Sequence, residues 1–151
     1  MTDSQQQAVV DSPTGWVREH IEQYVATGGA EGHLWQGVPT LLLTTTGRRS
    51  GTRRRTALIY GRTGDGPGAA HVVVASKGGA PEHPAWFLNL QASPEAEIQV
   101  GPDVLTVRAR VAEGDERESL WRRMAAIWPD YDQYQTRTDR QIPVVVLDPV
   151  A

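Results

Sequence analysis

Val38-Pro39-Thr40-Leu41-Leu42-Leu43-Thr44-Thr45-Thr46, Gly47-Arg48-Arg49-Ser50-Gly51-Thr52-Arg53-Arg54-Arg55 and Thr56-Ala57-Leu58-Ile59-Tyr60 follow one another without a break. The first and third stretches are rich in leucine and β-branched residues and predict two strands, with the basic stretch as the loop between them. Five arginines fall within residues 48–55 of a chain whose formal net charge is −3. A nucleic-acid-coating surface spreads positive charge over a face, whereas this chain gathers a third of its cations into one turn. The expected partner is a small, multiply charged molecule.

Outward from this unit, His71 to Ala75 reads as a third strand. The glycine-rich Gly61–Gly68 lacks the Gly-Lys-Ser/Thr of a phosphate loop and has no helix after it, so it reads as a hairpin connection. Pro84 to Gln91 forms a short helix stopped by Ser93-Pro94. Glu97 to Val100 and Val104 to Ala112 flank Gly101-Pro102-Asp103 as a hairpin, with Leu105, Val107, Ala109 and Val111 alternating against a wet face. Asp115 and Glu118 resemble a capping box opening a helix that ends near Pro129. Ile142 to Leu147 closes the sheet, with Pro143 suited to an edge or first position. At the other end, Ser12-Pro13 predicts the start of an amphipathic helix carrying Trp16, Val17, His20, Ile21, Tyr24 and Val25 and ending at Gly28-Gly29. Its apolar face could meet the core, a ligand or a membrane surface, the core being the commonest outcome. Residues 1–12 are expected to be a flexible tail, and residues 13–151 one domain with a barrel-like or α+β architecture.

The 151 residues suffice for one hydrophobic core. The absence of cysteine excludes disulfides, thiolate nucleophiles and iron–sulfur clusters. The four histidines have no metal-ligand spacing, and no Gly-x-Ser-x-Gly elbow is present, so neither a metal site nor serine hydrolysis is expected. Neither a bilayer-spanning run nor a signal peptide is recognisable. Fourteen of the fifteen cations are arginine, which leaves Lys77, in Ser76-Lys77-Gly78-Gly79, as the single lysine. The adjacent glycines allow backbone N–H groups close to a ligand. Arginines for anionic groups, a glycine-lined backbone and aromatic walls, without an acid/base pair, describe a site whose chemistry arrives with a cofactor.

Four motifs in order, Thr44-Thr45-Thr46-Gly47-Arg48-Arg49-Ser50-Gly51, Ala75-Ser76-Lys77-Gly78-Gly79, Pro84-Ala85-Trp86-Phe87-Leu88-Asn89-Leu90 and Pro129-Asp130-Tyr131-Asp132-Gln133-Tyr134-Gln135, resemble the deazaflavin (coenzyme F420)-dependent nitroreductase and quinone reductase family of actinobacteria. The resemblance runs from about Trp16 to Pro149. It implies a mostly β split β-barrel with helices, of the flavin-reductase and FMN-binding type, and the cofactor coenzyme F420, an 8-hydroxy-5-deazaflavin with a phosphate and a polyglutamate tail. It also implies hydride transfer from the reduced cofactor to a quinone, an activated enone or a nitroaromatic.

Carried over by position, the cofactor-binding residues would be Arg48, Arg49, Ser50, Arg54, Arg55, Thr56, Ala57, Leu58, Ile59, Tyr60, Val74, Ala75, Ser76, Lys77, Ala85, Trp86, Phe87, Leu88, Asn89 and Tyr131. Tyr131, Ser76 and Tyr134 would stand beside the reaction. Arg49 occupies a place where lysine is common, and Trp128 one where the nitro-drug-reducing member has tyrosine, which bears on the acceptor side. Of the basic cluster, Arg53 is expected in solvent. A carrier of the cofactor without turnover, an FMN-dependent split-barrel oxidoreductase and nucleic-acid binding are the competing readings. The expected location is the cytoplasm, with peripheral membrane contact through the N-terminal helix and the oligomeric state left open.

Overall fold

Strand β3 (Val38–Thr46) sits at the centre of the architecture because both of its faces are covered. Successive side chains of a strand point to opposite faces. Leu41 and Leu43 therefore enter one core with Val73, Phe87, Val145 and Leu147, while Leu42 turns to the other side and meets Ile21 and Tyr24. The computed structural model describes residues 9–11, 15–66 and 68–150.

The other elements are β1 (Val9–Asp11), α1 (Gly15–Thr27), β2 (Leu34–Trp35), β4 (Arg53–Ile59), β5 (Gly61–Arg62), β6 (His71–Val74), a 3-10 turn (Lys77–Gly79), α2 (Ala85–Ala92), β7 (Glu95–Val100), β8 (Asp103–Val111), α3 (Gly114–Ile127), α4 (Asp130–Thr136) and β9 (Val144–Pro149). The strands form one nine-stranded sheet in the order β1-β4-β3-β7-β8-β9-β6-β5, with β2 paired to β3 off that path. All pairings are antiparallel except β1 with β4. The sheet curls into a half-barrel.

Parity organises the covering helices. On β6 and β9, Val73, Val145 and Leu147 point into the barrel, whereas Val72, Val74, Val144 and Val146 point outward beneath Leu120 and Met124 of α3 and Tyr131 of α4. Burying a side chain of this size contributes roughly 1.5–3 kcal/mol, which holds both helix layers in place. Helix α1 is held likewise by Ile21 and Tyr24, and the Tyr24 hydroxyl accepts from the Gly101 N–H at 2.6 Å and reaches the Thr40 carbonyl at 3.1 Å.

Several sequence expectations change. Strand β4 begins at Arg53 and not Thr56, because the ladder continues through Thr44↔Arg55, Thr45↔Arg54 and Thr46↔Arg53. Part of the expected tail, Val9–Asp11, is a strand, secured by its pairing with β4 and by an Arg55–Asp11 ion pair at 2.6 Å. The Ser12-Pro13 helix start and residues 1–8 lie outside the described residues. The capping box does not form: α3 starts at Gly114 with Glu113 as an N-cap that makes no side-chain hydrogen bond, and Asp115 lies in the first turn, where a carboxylate suits the helix dipole. In β8 only Val107 of the alternating set is fully buried, and Leu105 and Val111, nearer the ends of the strand, are exposed.

Candidate functional site

A cleft of about 770 Å3 opens between the barrel and its helices. It is lined by Thr56, Ala57, Leu58 and Ile59 of β4, Val17 and His20 of α1, Tyr131 and Tyr134 of α4 with Trp128, and by Val74, Ser76, Lys77, Gly78, Ala85 and Trp86. A second, smaller cavity of about 230 Å3 is lined by Gly47, Arg48, Arg49, Ser50, Arg54, Ala85 and Asn89. Ala85 is common to both, so an apolar slot leads into a cationic pocket.

The period of two along β4 sorts the arginines. Arg54 lines the basic pocket, whereas Arg55 faces the other side, where its Nε and Nη2 donate to the two Asp11 carboxylate oxygens at 2.6 and 3.2 Å. Arg53 shares that parity and lies 3.9 Å from Glu97, half-buried and not in free solvent. The turn that presents Arg48 and Arg49 is built locally. Gly47 N–H donates to the Thr52 carbonyl at 2.7 Å, Thr52 N–H donates to Ser50 Oγ at 3.1 Å, and Gly51 adopts φ +74°. Asn89 fixes it from α2: its Oδ1 accepts from the Arg48 N–H at 3.1 Å and from Arg48 Nη1 at 3.2 Å, while its Nδ2 donates to Thr45 Oγ1 at 3.1 Å. Helix α2 itself starts behind Pro84, which offers no side-chain cap to its first N–H groups, and its first residue, Ala85, lines both cavities.

The Ser76–Gly79 turn rests on α4. A Cβ on Gly79 would stand 2.7 Å from the Tyr134 carbonyl oxygen, which only glycine avoids. Arg140 secures the turn from beneath: Nε donates to the Ala80 carbonyl at 2.9 Å, Nη1 to the Ala75 carbonyl at 3.2 Å and Nη2 to the Ser76 carbonyl at 2.9 Å, with His83 Nδ1 3.0 Å from Nη1. Lys77 projects outward with φ +46°, its Nζ 3.2 Å from Glu82 Oε1.

Tyr131 is, like Thr40, a buried hydroxyl-bearing residue of the cleft. It is 5% exposed, lies against Trp121 and Tyr134 with ring centroids 6.3 and 6.1 Å away, and its hydroxyl has no hydrogen-bond partner among the described residues. Burial first, and the neighbouring Tyr134 second, push its phenol above the ordinary value of 10.0, so it holds its proton at neutral pH. The Tyr134 hydroxyl accepts from Trp128 Nε1 at 3.4 Å.

Residues 16–149 match the F420H(2)-dependent quinone reductase family. The chain belongs to that family. A curated relative, an F420H(2)-dependent quinone reductase of Mycobacterium tuberculosis, is 42% identical over 135 residues, covering 87% of this chain and 88% of the relative. A solved F420-H2 dependent reductase is 42% identical with a TM-score of 0.64, covering 73% of this chain and 94% of its own. Another solved structure, described as a domain-swapped dimer, is 41% identical with a TM-score of 0.67 and covers 91% of this chain and all of its own. The family member is thus an oxidoreductase whose cofactor is coenzyme F420, and its half-barrel is the split β-barrel expected from the sequence.

The donor set suits that cofactor. Guanidinium groups of Arg48, Arg49 and Arg54, the Ser50 hydroxyl and the α2 N-terminus match phosphate and carboxylate, and the slot beside Leu58, Val74 and Trp86 matches a planar ring. The two cavities bring together most of the residues singled out in the sequence. Arg55, Tyr60, Ala75, Phe87 and Leu88 line neither: Tyr60 is buried with its hydroxyl 2.9 Å from His33 Nε2, and Ala75 and Phe87 belong to the barrel core. Sequence reasoning missed Trp35, Thr40, Pro84 and Arg140. The alternation of β4 could have separated Arg54 from Arg55, but nothing local marks Arg140 as the support of a turn 60 residues away.

Proposed function

We propose that the cleft holds the deazaflavin ring with a quinone over it, and that the basic pocket holds the phosphate and acidic tail. The observation that carries this reading is the passage from the apolar slot through Ala85 into a pocket of three arginines, with the protonated Tyr131 facing the slot. When bound, the reduced deazaflavin supplies a hydride. Leu58, Ala57 and Trp86 exclude water from the ring, and Arg48, Arg49 and Arg54 neutralise the anionic end. Tyr131 directs its phenolic O–H at the acceptor oxygen, where negative charge develops as the quinone takes hydride, and serves as the relay for the proton that completes the hydroquinone. Ser76 and Tyr134 orient the acceptor. Lys77, anchored to Glu82 at the rim, meets the cofactor only at its exposed end.

A quinone is favoured over a nitroaromatic because Trp128, not a tyrosine, forms the wall beside Tyr134, so fewer hydroxyl donors face the acceptor. Tyr131→Phe tests the assignment. Turnover of menadione should fall about 10²-fold while the affinity for oxidised F420 stays within about twofold. Turnover equal to wild type with every quinone tried would remove Tyr131 from the chemistry.

Among the described residues no helix is long and apolar enough to cross a membrane. We place the protein in the cytoplasm, with contact at a membrane surface through the exposed Val25 of α1 and Leu34 of β2. Co-sedimentation with lipid vesicles tests that contact, and protein left wholly in the supernatant would refute it.

A further inference from the structure

Two indoles that line the cleft meet each other. Trp35 comes from the β2–β3 hairpin and Trp128 from the end of α3, and their ring centroids are 5.3 Å apart at an interplanar angle of 43°. Both indoles are half-buried and both line the cleft, yet neither lines the basic pocket. Trp35 is held in place by a tight turn: Trp35 pairs with Val38 across Gln36 at φ +49° and Gly37 at φ +81°, the two left-handed residues that a two-residue hairpin of this type requires. Trp128 is held by its own polar atom, whose N–H donates to the Tyr134 hydroxyl. Two indoles from different elements thus meet at an angle and not stacked flat, and both line the cleft.

We propose that Trp35, with Trp128, forms the seat of the acceptor ring and is a specificity-determining residue for fused-ring, apolar acceptors. The inference rests on the reading of the cleft given above. The cofactor's anionic end is drawn to the arginine pocket, which neither indole shares, so the indole pair meets the second reactant. An aromatic seat recognises a planar bicyclic ring by area and edge-to-face contact, and it loses less with a single ring because less surface is covered.

The test compares wild type with Trp35→Leu and Trp35→Phe, using menadione and benzoquinone as probes. Menadione binding to the protein loaded with oxidised F420 is measured by equilibrium dialysis, alongside KM, kcat and the affinity for oxidised F420. In Trp35→Leu the menadione Kd and KM should rise about tenfold, with kcat and F420 affinity within about twofold of wild type. Benzoquinone should lose less, and Trp35→Phe should keep most of the menadione affinity. Trp128→Leu should raise the menadione Kd likewise, with F420 affinity kept, and serves where the hairpin variant does not fold. An unchanged menadione Kd in folded Trp35→Leu and Trp128→Leu overturns the seat, as does an equal loss of F420 affinity. Wild-type protein that binds F420 but neither binds nor reduces a quinone overturns the reading of the cleft, and the seat with it. Normal wild-type turnover with an unaffected Trp35→Leu overturns the seat alone.

Discussion

Replacing Arg140 by methionine should loosen the Ser76–Gly79 turn, and the size of the effect follows from its contacts. One guanidinium donates to the carbonyls of Ala75, Ser76 and Ala80 and lies 3.0 Å from His83 Nδ1. Hydrogen bonds from a charged donor contribute about 1.5–3 kcal/mol when well buried. Arg140 is half-buried, and water can replace part of what is lost, so about 1 kcal/mol for each of the three carbonyl bonds is the appropriate scale. The total of about 3 kcal/mol corresponds to a fall in Tm of roughly 6–12 °C for a domain of this size. Methionine keeps most of the apolar stem, so lost packing adds little. Because Ser76 and Lys77 line the cleft, the affinity for oxidised F420 should also weaken, by about tenfold. Arg140→Lys should recover only part of either effect, since an ammonium cannot span three carbonyls set around a planar fork. Differential scanning calorimetry and a fluorescence titration of F420 measure both quantities. A Tm change under about 2 °C together with unchanged cofactor affinity would show that the turn holds itself and would refute the argument.

The arginines of β4 should divide by parity. Arg54→Ala should weaken F420 binding about tenfold or more, whereas Arg55→Ala should leave it within about twofold and instead lower stability by about 1–2 kcal/mol through the loss of the Asp11 pair. Equal effects of the two on cofactor affinity would contradict the sorting. Acid should destabilise the protein through His71: burial, and then the Arg62 charge, hold its folded pKa below the ordinary 6.5. Its contribution to stability is complete above the unfolded value and is lost as pH falls through the depressed folded value, so Tm should decline below about pH 6.5. His71→Gln should flatten that decline, leaving a residue from His83, which is shifted the same way by burial and then Arg140. A Tm profile of identical slope in the variant would remove His71 as the cause.

The elements differ in how strongly their residues mark them. The β3–basic turn–β4 unit and the strands that close the sheet could be read because their residues are apolar in runs, and the second apolar face of β3, β6 and β9 is explained by the helices on it. The charged start of β4 could not be read from propensity, since the ladder with Thr44–Thr46 overrides the poor strand preference of three arginines. The strand at Val9–Asp11 was hidden for a related reason: three residues carry almost no pattern, and their pairing depends on Arg55, 44 positions away. At the site, Arg54 lines the basic pocket and Arg55 does not, as alternation requires, whereas Thr56 to Ile59 all line the cleft whatever their parity. Tyr60 and Phe87, placed with the cofactor by resemblance, turn into the core. Trp35 stands in a two-residue strand too short to be seen as one.

Hydride passage from reduced F420 to a quinone in this cleft is the activity on which every role above depends. Its most direct test is the rate at which the protein restores the oxidised deazaflavin absorbance when reduced F420 and menadione are mixed without oxygen. The rate should be saturable in both reactants, proportional to protein and about 10²-fold lower in Tyr131→Phe. A rate no faster than that of the two reagents alone, from folded protein that binds F420, would contradict it.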